Sequence, residues 1–339
     1  MKYAFFPGCS LESTAWDFDR STRAVCGALG IELKEIPNWV CCGSTPAHTT
    51  NASLAVALPV LNLQKAQRMN SPVMTACASC YARLRTANYK VNNDPAERKR
   101  AERITGKPYD GSVPVHHVLD VLVNHLGIDS IRAAVRKPLA GLRVACYYGC
   151  LLTRPPEVVA FDDPEHPTVM DNLMAALGAE PVDWPYKTEC CGASLSMTHV
   201  NVVSRLGHRL LSMAQQAGAQ CIAVACPLCQ VNLDLRQADA RAAHGELPQT
   251  PVLYITQLLG LALGISPKEL GIQSLSVSAE SLLTSLGKIM SSIKSEPGRV
   301  APAVPGPTRP GSDEKTRHLL HDLTNADSAD MAAGAGGKP

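Results

Sequence analysis

Aromatic residues are scarce. Four Phe, three Trp and eight Tyr in 339 residues are too few for the stacking surface that single-stranded nucleic acid needs. Charge of either sign is nearly absent in excess: 32 Lys and Arg against 30 Asp and Glu give a formal net charge of +2. Neither nucleic acid nor an acidic membrane surface is therefore expected as a partner. Long apolar runs are also missing. The longest, 254–265, falls well short of the roughly 20 residues that span a bilayer. The opening MKYAFFPGCS holds an apolar stretch of about five residues, too short for a signal-peptide core. These absences lead to the expectation of a cytoplasmic protein without a membrane span. At 45% hydrophobic and 18% charged residues, the chain has the composition of a packed globular protein, and its length suffices for two domains.

What the sequence does have is cysteine, thirteen in all. In a reducing compartment that number points to metal binding or redox chemistry rather than a disulfide framework. Ten of them form two matching sets. The first is Cys9, then Cys41-Cys42-Gly43, then Cys77-Ala-Ser-Cys80; the second is Cys150, then Cys190-Cys191-Gly192, then Cys226-Pro-Leu-Cys229. In both sets 34 residues separate the paired cysteines from the C-x-x-C, and the last four cysteines of each set are offset by 149 positions. The surrounding text agrees. Leu29-Gly-Ile-Glu32 answers Leu177-Gly-Ala-Glu180, Ala66-Gln-Arg echoes Ala214-Gln-Gln, and Phe6-Pro-Gly-Cys9 is similar to Tyr148-Gly-Cys150. The chain is read as a tandem duplication.

Periodicity predicts alternating strands and helices in each half. In the first, strands are expected at 2–6, 32–36 and 72–76, with helices at 15–29, 52–69 and from Tyr81 onward. In the second, strands are expected at 142–147, 180–183 and 220–225, with helices near 169–177, 200–217 and 230–243. This alternation predicts an α/β fold with a mainly parallel sheet in each half. Cys9, Cys77, Cys150 and Cys226 then follow strands directly or within three residues, and both Cys-Cys-Gly turns follow strands within a few. Ligand sites in open parallel sheets lie beyond the carboxyl ends of the strands, so distant cysteines would converge on one rim, where helix N-termini favour thiolates. The glycine after each pair permits the backbone angles of a tight turn.

Five thiols per copy exceed the four ligands of a structural zinc or of an ordinary [4Fe–4S] cubane. Neighbouring residues of an extended chain point to opposite faces, so aiming both members of a Cys-Cys pair at one centre needs a distorted turn. The repeated pair suggests that both sulfurs are used, with one bridging two metals. The alternative is a zinc held by four of the five, chiefly in the first set. A metal-free dithiol exchanger is disfavoured, because neither C-x-x-C has the context of such a motif. Cys26, Cys146 and Cys221 have no counterparts in the other half and are read as packing residues.

The doubled C-x(n)-C-C-G-x(m)-C-x-x-C pattern is that of the cysteine-rich CCG domain. The span from Met1 to about Ser266 resembles the B-type subunit of heterodisulfide reductase, through KYAFFPGC at its start, Tyr147-Tyr-Gly-Cys150, and Tyr254-Ile-Thr-Gln-Leu-Leu-Gly near its end. The resemblance implies two tandem, pseudo-symmetric CCG domains at 1–140 and 141–287. It implies two noncubane [4Fe–4S] clusters, one on Cys9, Cys41, Cys42, Cys77 and Cys80, the other on Cys150, Cys190, Cys191, Cys226 and Cys229. The implied activity is an oxidoreductase acting on sulfur groups: the catalytic subunit splits a mixed disulfide between the clusters, or oxidises thiols or persulfides in reverse. Electrons would come from partner subunits of the same complex, a C-type iron–sulfur protein and an A-type flavoprotein. In methanogens the substrate joins coenzymes M and B. There, a histidine follows the cysteine that opens the second motif; here that position is Leu151, which points away from that substrate, and the extra tail beyond Gly287 fits a bacterial member better. A second reading is an electron-relay subunit of a dehydrogenase complex with no substrate of its own. Relatives of that type usually add a ferredoxin-like C-x2-C-x2-C-x3-C run, and this sequence has none.

Other residues are read more plainly. His116-His117, before an apolar helix at 118–126, are expected to be surface or capping residues rather than metal ligands. His48, Ser44 and Ser194 near the Cys-Cys-Gly turns are given local turn roles, with hydrogen bonds to cluster sulfur as the alternative. Glu97-Arg98-Lys99-Arg100 reads as a solvated helix face, and Arg154 as a residue that could meet an anionic substrate group. From Ser295 the composition turns to Pro, Gly, Ser and Ala, with six basic and six acidic residues from Lys294 on, and residues 288–339 read as a disordered tail, with a short partner-induced helix at 315–323.

Overall fold

The computed structural model describes residues 1–44 and 46–295. Among them, eight strands form two separate four-stranded sheets, every pairing parallel. The first contains β1 (Lys2–Phe5), β2 (Glu32–Glu35), β3 (Val73–Thr75) and β4 (Val115–His117), in the order β2-β1-β3-β4. The second contains β5 (Arg143–Tyr147), β6 (Glu180–Pro181), β7 (Cys221–Val224) and β8 (Val252–Tyr254), in the order β6-β5-β7-β8. Helices flank both sheets, and the α/β architecture is the one expected from the sequence.

Sequence explains which strands are central. The inner strands β1, β3, β5 and β7 are nearly all buried, as continuous apolar runs covered on both faces should be. The outer strand β2, Glu-Leu-Lys-Glu, is mostly exposed, its charges blunting a free edge. β6 is two residues long and ends in Pro181, which cannot donate to a further strand. In each sheet the chain runs from the first strand to one neighbour and returns to the other side of the first strand. The direction of winding therefore reverses between β1 and β3, and between β5 and β7, the position where such sheets bind ligands.

β4 and β8 were not expected. At three residues each they carry too little period-2 signal to detect, and the residues after them continue into helices. The segment expected as one apolar helix at 118–126 is a single turn, Val118–Asp120, followed by a π-helix, Val121–Gly127. The helix expected from Tyr81 starts at Ala78, because Cys77 is its N-cap and its sulfur accepts from the Cys80 N–H at 3.5 Å. The helix expected at 230–243 is two, Pro227–Asp234 and Gln237–His244. The side-chain amide of Gln237 donates to the Leu233 carbonyl, four residues back, at 2.8 Å, and the Asp234 carboxylate is held by Ser276 N–H at 2.7 Å. The last described helix runs Glu280–Ser295, so residues 288–295 belong to a helix rather than to a tail. The rest of the expected tail, with the helix expected at 315–323, lies outside the described residues.

The two halves share one core. Residues 1–294 group as one compact unit, and the helix Trp16–Ala28 of the first half lies against Ile255–Ala262 of the second. The rings of Phe18 and Tyr254 stack at 3.9 Å and 5°. Beside them the Ser21 and Thr256 hydroxyls are 2.7 Å apart, and Gln257 Nε2 donates to Asp17 Oδ2 at 3.2 Å. From the other side, Tyr81 Oη and Arg85 Nε donate to the Val159 and Val158 carbonyls, each at 2.9 Å. Phe18→Ala should therefore cost about 3–5 kcal/mol and destabilise both halves together. Anaerobic denaturant unfolding followed by circular dichroism should show one transition at lower midpoint; two separated transitions would contradict a shared core.

Candidate metal centre

All ten matched cysteines lie at the carboxyl ends of the strands, as their spacing predicted. Cys9 follows β1 and Cys77 follows β3, the strands that flank the winding reversal; Cys150 and Cys226 take the same places after β5 and β7. The Cys-Cys-Gly turns enter from the loops after β2 and β6. In the first set Cys41 and Cys9 Sγ lie 3.9 Å apart, and Cys42 and Cys80 Sγ 3.4 Å apart. In the second, Cys191 and Cys229 Sγ lie 3.6 Å apart, and Cys150 is hydrogen-bonded to Cys190. Cys9, Cys41 and Cys190 are exposed and Cys150 is half-buried; the other six are buried.

Glycine makes the close approach possible. Gly43 and Gly192 adopt φ of 71° and 78°, and their N–H groups donate to Cys41 and Cys190 Sγ at 3.4 and 3.3 Å. Gly8 and Gly149, each just before the opening cysteine, have φ of 72° and 67°. A Cβ at Gly8 would stand 2.9 Å from Cys80 Sγ, and one at Gly149 3.1 Å from Cys229 Sγ. Any side chain there meets the last sulfur of its own set.

The electrostatics repeat as well. Hydrogen bonds from the Cys42 and Cys9 thiols, with the Gly43 and Ser44 N–H groups, pull Cys41 down to about 2 against its partial burial. The Cys150 thiol and the Gly192 and Ala193 N–H groups pull Cys190 down to about 6, again against burial. The first cysteine of each pair is thus drawn toward its thiolate form. At the centre the two sets meet. Cys226 is held low by hydrogen bonds from Cys229 and from Cys77 of the other half, and Cys77 is held high chiefly by Cys226.

Two residues assigned no part in the site from sequence, His117 and Tyr254, occupy this junction, and they are counterparts. His117 ends β4 opposite Thr75, and Tyr254 ends β8 opposite Val224; each is the N-cap of the helix that follows. His117 is wholly buried, not at the surface. Its Nδ1 accepts from the Leu119 N–H at 3.1 Å, so Nε2 carries the proton and donates to two carbonyls, Ala76 at 2.9 Å and Ala225 at 3.0 Å. Those carbonyls immediately precede Cys77 and Cys226, so one imidazole ties both cysteine loops together. Burial holds it neutral, at about 4. The Tyr254 hydroxyl is buried and has no hydrogen-bond partner; burial, then the charge of Asp17, and then Cys226 and Cys77 hold it in its neutral form. The only signal for either in the sequence is its place at the end of a strand too short to recognise.

The halves differ three residues after each C-x-x-C. Asn232 donates to the Cys191 carbonyl at 3.0 Å and approaches its sulfur at 3.8 Å; the equivalent Arg83 has a buried, unpartnered Nε and a charge that interacts with Cys42. Cys26, Cys146 and Cys221 are fully buried, and burial pushes Cys26 and Cys221 up to about 12. Ser44 is hydrogen-bonded to Ser79, inside the first C-x-x-C, while Ser194 and His48 are exposed. Arg154 is engaged by Glu165 at 2.7 Å and by Thr188 at 3.1 Å; on the helix Pro95–Thr105 Lys99 is exposed, while Glu97, Arg98 and Arg100 are half-buried and Arg100 pairs with Glu97.

The donor set suits a multi-iron centre. Among the described residues no three of these thiols lie mutually within 4.8 Å, as they would if gathered on one ion. Sulfurs that approach in pairs, with N–H donors aimed at them, fit an iron–sulfur group. Gly8→Ala should displace Cys80 and remove most of the iron bound by the first set, leaving about half of the total by metal analysis; unchanged iron would contradict this packing.

The cysteine-rich CCG domain family matches this chain twice, at residues 3–85 and 144–234. The chain is 34% identical, over 80% of its length and 95% of the relative's, to the 8-methylmenaquinol:fumarate reductase membrane anchor subunit of Wolinella succinogenes. It is 30% identical, over 80% of its length and 92% of the relative's, to the B-type subunit of the ferredoxin:CoB-CoM heterodisulfide reductase of Methanosarcina mazei. A protein of Archaeoglobus profundus described as like that B-type subunit is also 30% identical, over 79% and 93%. Among solved structures, a hypothetical protein from Helicobacter pylori superposes with a TM-score of 0.65 at 10% identity, over 82% of this chain and 52% of that one, a likeness of fold alone. With both CCG domains matched and relatives aligned over nearly their whole length, the chain belongs to the family of tandem cysteine-rich CCG proteins that includes the B-type subunits of heterodisulfide reductase.

Proposed function

We propose that this chain is the catalytic subunit of a heterodisulfide reductase-like complex, reducing a disulfide or, in reverse, oxidising thiols or persulfides. Cys9, Cys41, Cys42, Cys77 and Cys80 would hold one noncubane [4Fe–4S] cluster, and Cys150, Cys190, Cys191, Cys226 and Cys229 the other. The observation that supports this reading is the meeting of two matched five-cysteine sets at Cys77 and Cys226, an arrangement that would offer each half of one disulfide its own set. Bound clusters supply thiophilic iron and one-electron steps. Reduction breaks one S–S bond and consumes two electrons and two protons. The electrons would come from partner subunits, a C-type iron–sulfur protein and an A-type flavoprotein. The chain itself contributes orientation and charge. The N–H groups of Gly43 and Gly192 stabilise thiolates, His117 fixes the spacing of the two loops, and the buried Tyr254 hydroxyl is left with an unused hydrogen-bonding capacity. No helix among the described residues is long and apolar enough to cross a membrane.

A second reading, an electron-relay subunit without its own substrate, is favoured by the similarity to a component of a quinol:fumarate reductase. Thiol addition separates the two. In the anaerobically purified, oxidised chain, glutathione or 2-mercaptoethanesulfonate should change a paramagnetic iron signal, and reduced viologen should drive cleavage of the corresponding disulfide. Cys42→Ser and Cys191→Ser should each lower that cleavage by about 100-fold or more, the loss expected when a binding set is disrupted, because both sets are needed. A signal indifferent to thiols, with no disulfide cleavage, would favour the relay.

A further inference from the structure

On the opposite face of β4 from His117, side-chain alternation directs His116 to a second cluster of metal-binding groups. We propose that His116, Asp120 and His125 form a mononuclear site for a divalent transition-metal ion of the zinc class, separate from the cysteine sets. One ligand atom from each of the three lies within 4.8 Å of the other two. Asp120 Oδ2 is shared, 2.8 Å from His116 Nδ1 and 3.8 Å from His125 Nε2. The imidazole rings are 4.3 Å apart at 69°, edge to face.

Two further features go beyond an ordinary His–Asp pair. The first is the backbone. Asp120 and His125 are five residues apart, and in an α-helix they would point roughly 140° apart round the axis. The π-helix Val121–Gly127, whose bonds run from i to i+5, brings them onto one face, and π-turns of this kind are rare and concentrate at functional sites. The second is the support around the group. The Tyr3 hydroxyl, buried on β1, is hydrogen-bonded to His125 Nδ1 at 2.8 Å, which leaves Nε2 facing the cluster. Asn124 Nδ2 donates to Asp120 Oδ1 at 2.8 Å, which leaves Oδ2 for the metal. Metal-ligating histidines and carboxylates are oriented by such partners. Burial pulls the Asp120 carboxyl up, but the hydrogen bonds from His116 and Asn124 prevail and hold it below its usual range.

Two imidazole nitrogens and one carboxylate oxygen suit zinc and neighbouring divalent ions, with water completing the coordination. The three side chains are partly exposed, between 17% and 33%, so an ion has a path in. The site does not depend on the cluster reading, and its test keeps the two apart. Anaerobically purified, iron-loaded protein is treated with a chelator, incubated with Zn2+, desalted, and assayed for zinc and iron together. About one zinc per chain should be retained with iron unchanged. Its X-ray absorption should show nitrogen and oxygen ligands at roughly 2.0–2.1 Å and no sulfur at roughly 2.3 Å. His125→Ala should abolish retention without loss of iron. Tyr3→Phe, which keeps the ring and removes only the orienting hydroxyl, should weaken zinc binding roughly 10–100-fold. No retained zinc in the iron-loaded protein, sulfur ligation, or equal retention by His125→Ala and Tyr3→Phe would each overturn the proposal.

Discussion

A sulfur that carries negative charge away from water is tolerated only where donors or metal ions compensate it. Six of the ten paired cysteines are buried here, and the fold is arranged round that constraint. Parallel strands end on one rim, so their following loops converge, and the helices that begin there turn N–H groups toward the sulfurs. Cys77 and Cys226 are themselves the N-caps of such helices. Positive-φ glycines stand where a side chain would strike a sulfur or where an N–H must reach one. Each device occurs twice, at equivalent positions, so duplication of one compensated thiol cradle accounts for the architecture of the whole described unit.

Duplication alone would give two independent cradles. The third strand of each sheet brings a cysteine to the junction, and the fourth brings His117 or Tyr254, which are equivalent in register and different in role. His117 spans both halves through two carbonyls, while Tyr254 stacks on Phe18 and keeps a buried, unpartnered hydroxyl. The symmetry is broken again at Arg83 and Asn232. A positive charge near Cys42 stabilises negative charge in the first set more than an amide does in the second, so the two sets are electrostatically inequivalent although their ligands match.

Much of this was legible in the sequence because cysteine positions are tied to strand ends. The 149-residue offset, the Cys-Cys-Gly turns and the alternation of strand and helix already implied two parallel sheets with a shared rim. What stayed hidden lies at the junction. β4 and β8 are three residues long and show no usable alternation. His117, read as a surface or capping residue, caps a helix but is wholly buried, a fact that depends on the second half folding over it. His116 and His125 meet Asp120 only because a π-helix replaces the expected α-helix, and residue types alone do not announce that change. The break at 235–236 depends on the Gln237 side chain, and the continuation of the last helix through Ser295 crosses a boundary placed at 287 by the extent of the family resemblance.

The central claim is that each five-cysteine set holds iron and inorganic sulfide rather than a lone ion. Joint assay of iron, acid-labile sulfide and zinc in the anaerobically purified full chain tests it most directly. Two four-iron clusters predict roughly eight irons and eight sulfides per chain. Zinc bound through cysteine sulfur, with no labile sulfide, would contradict it.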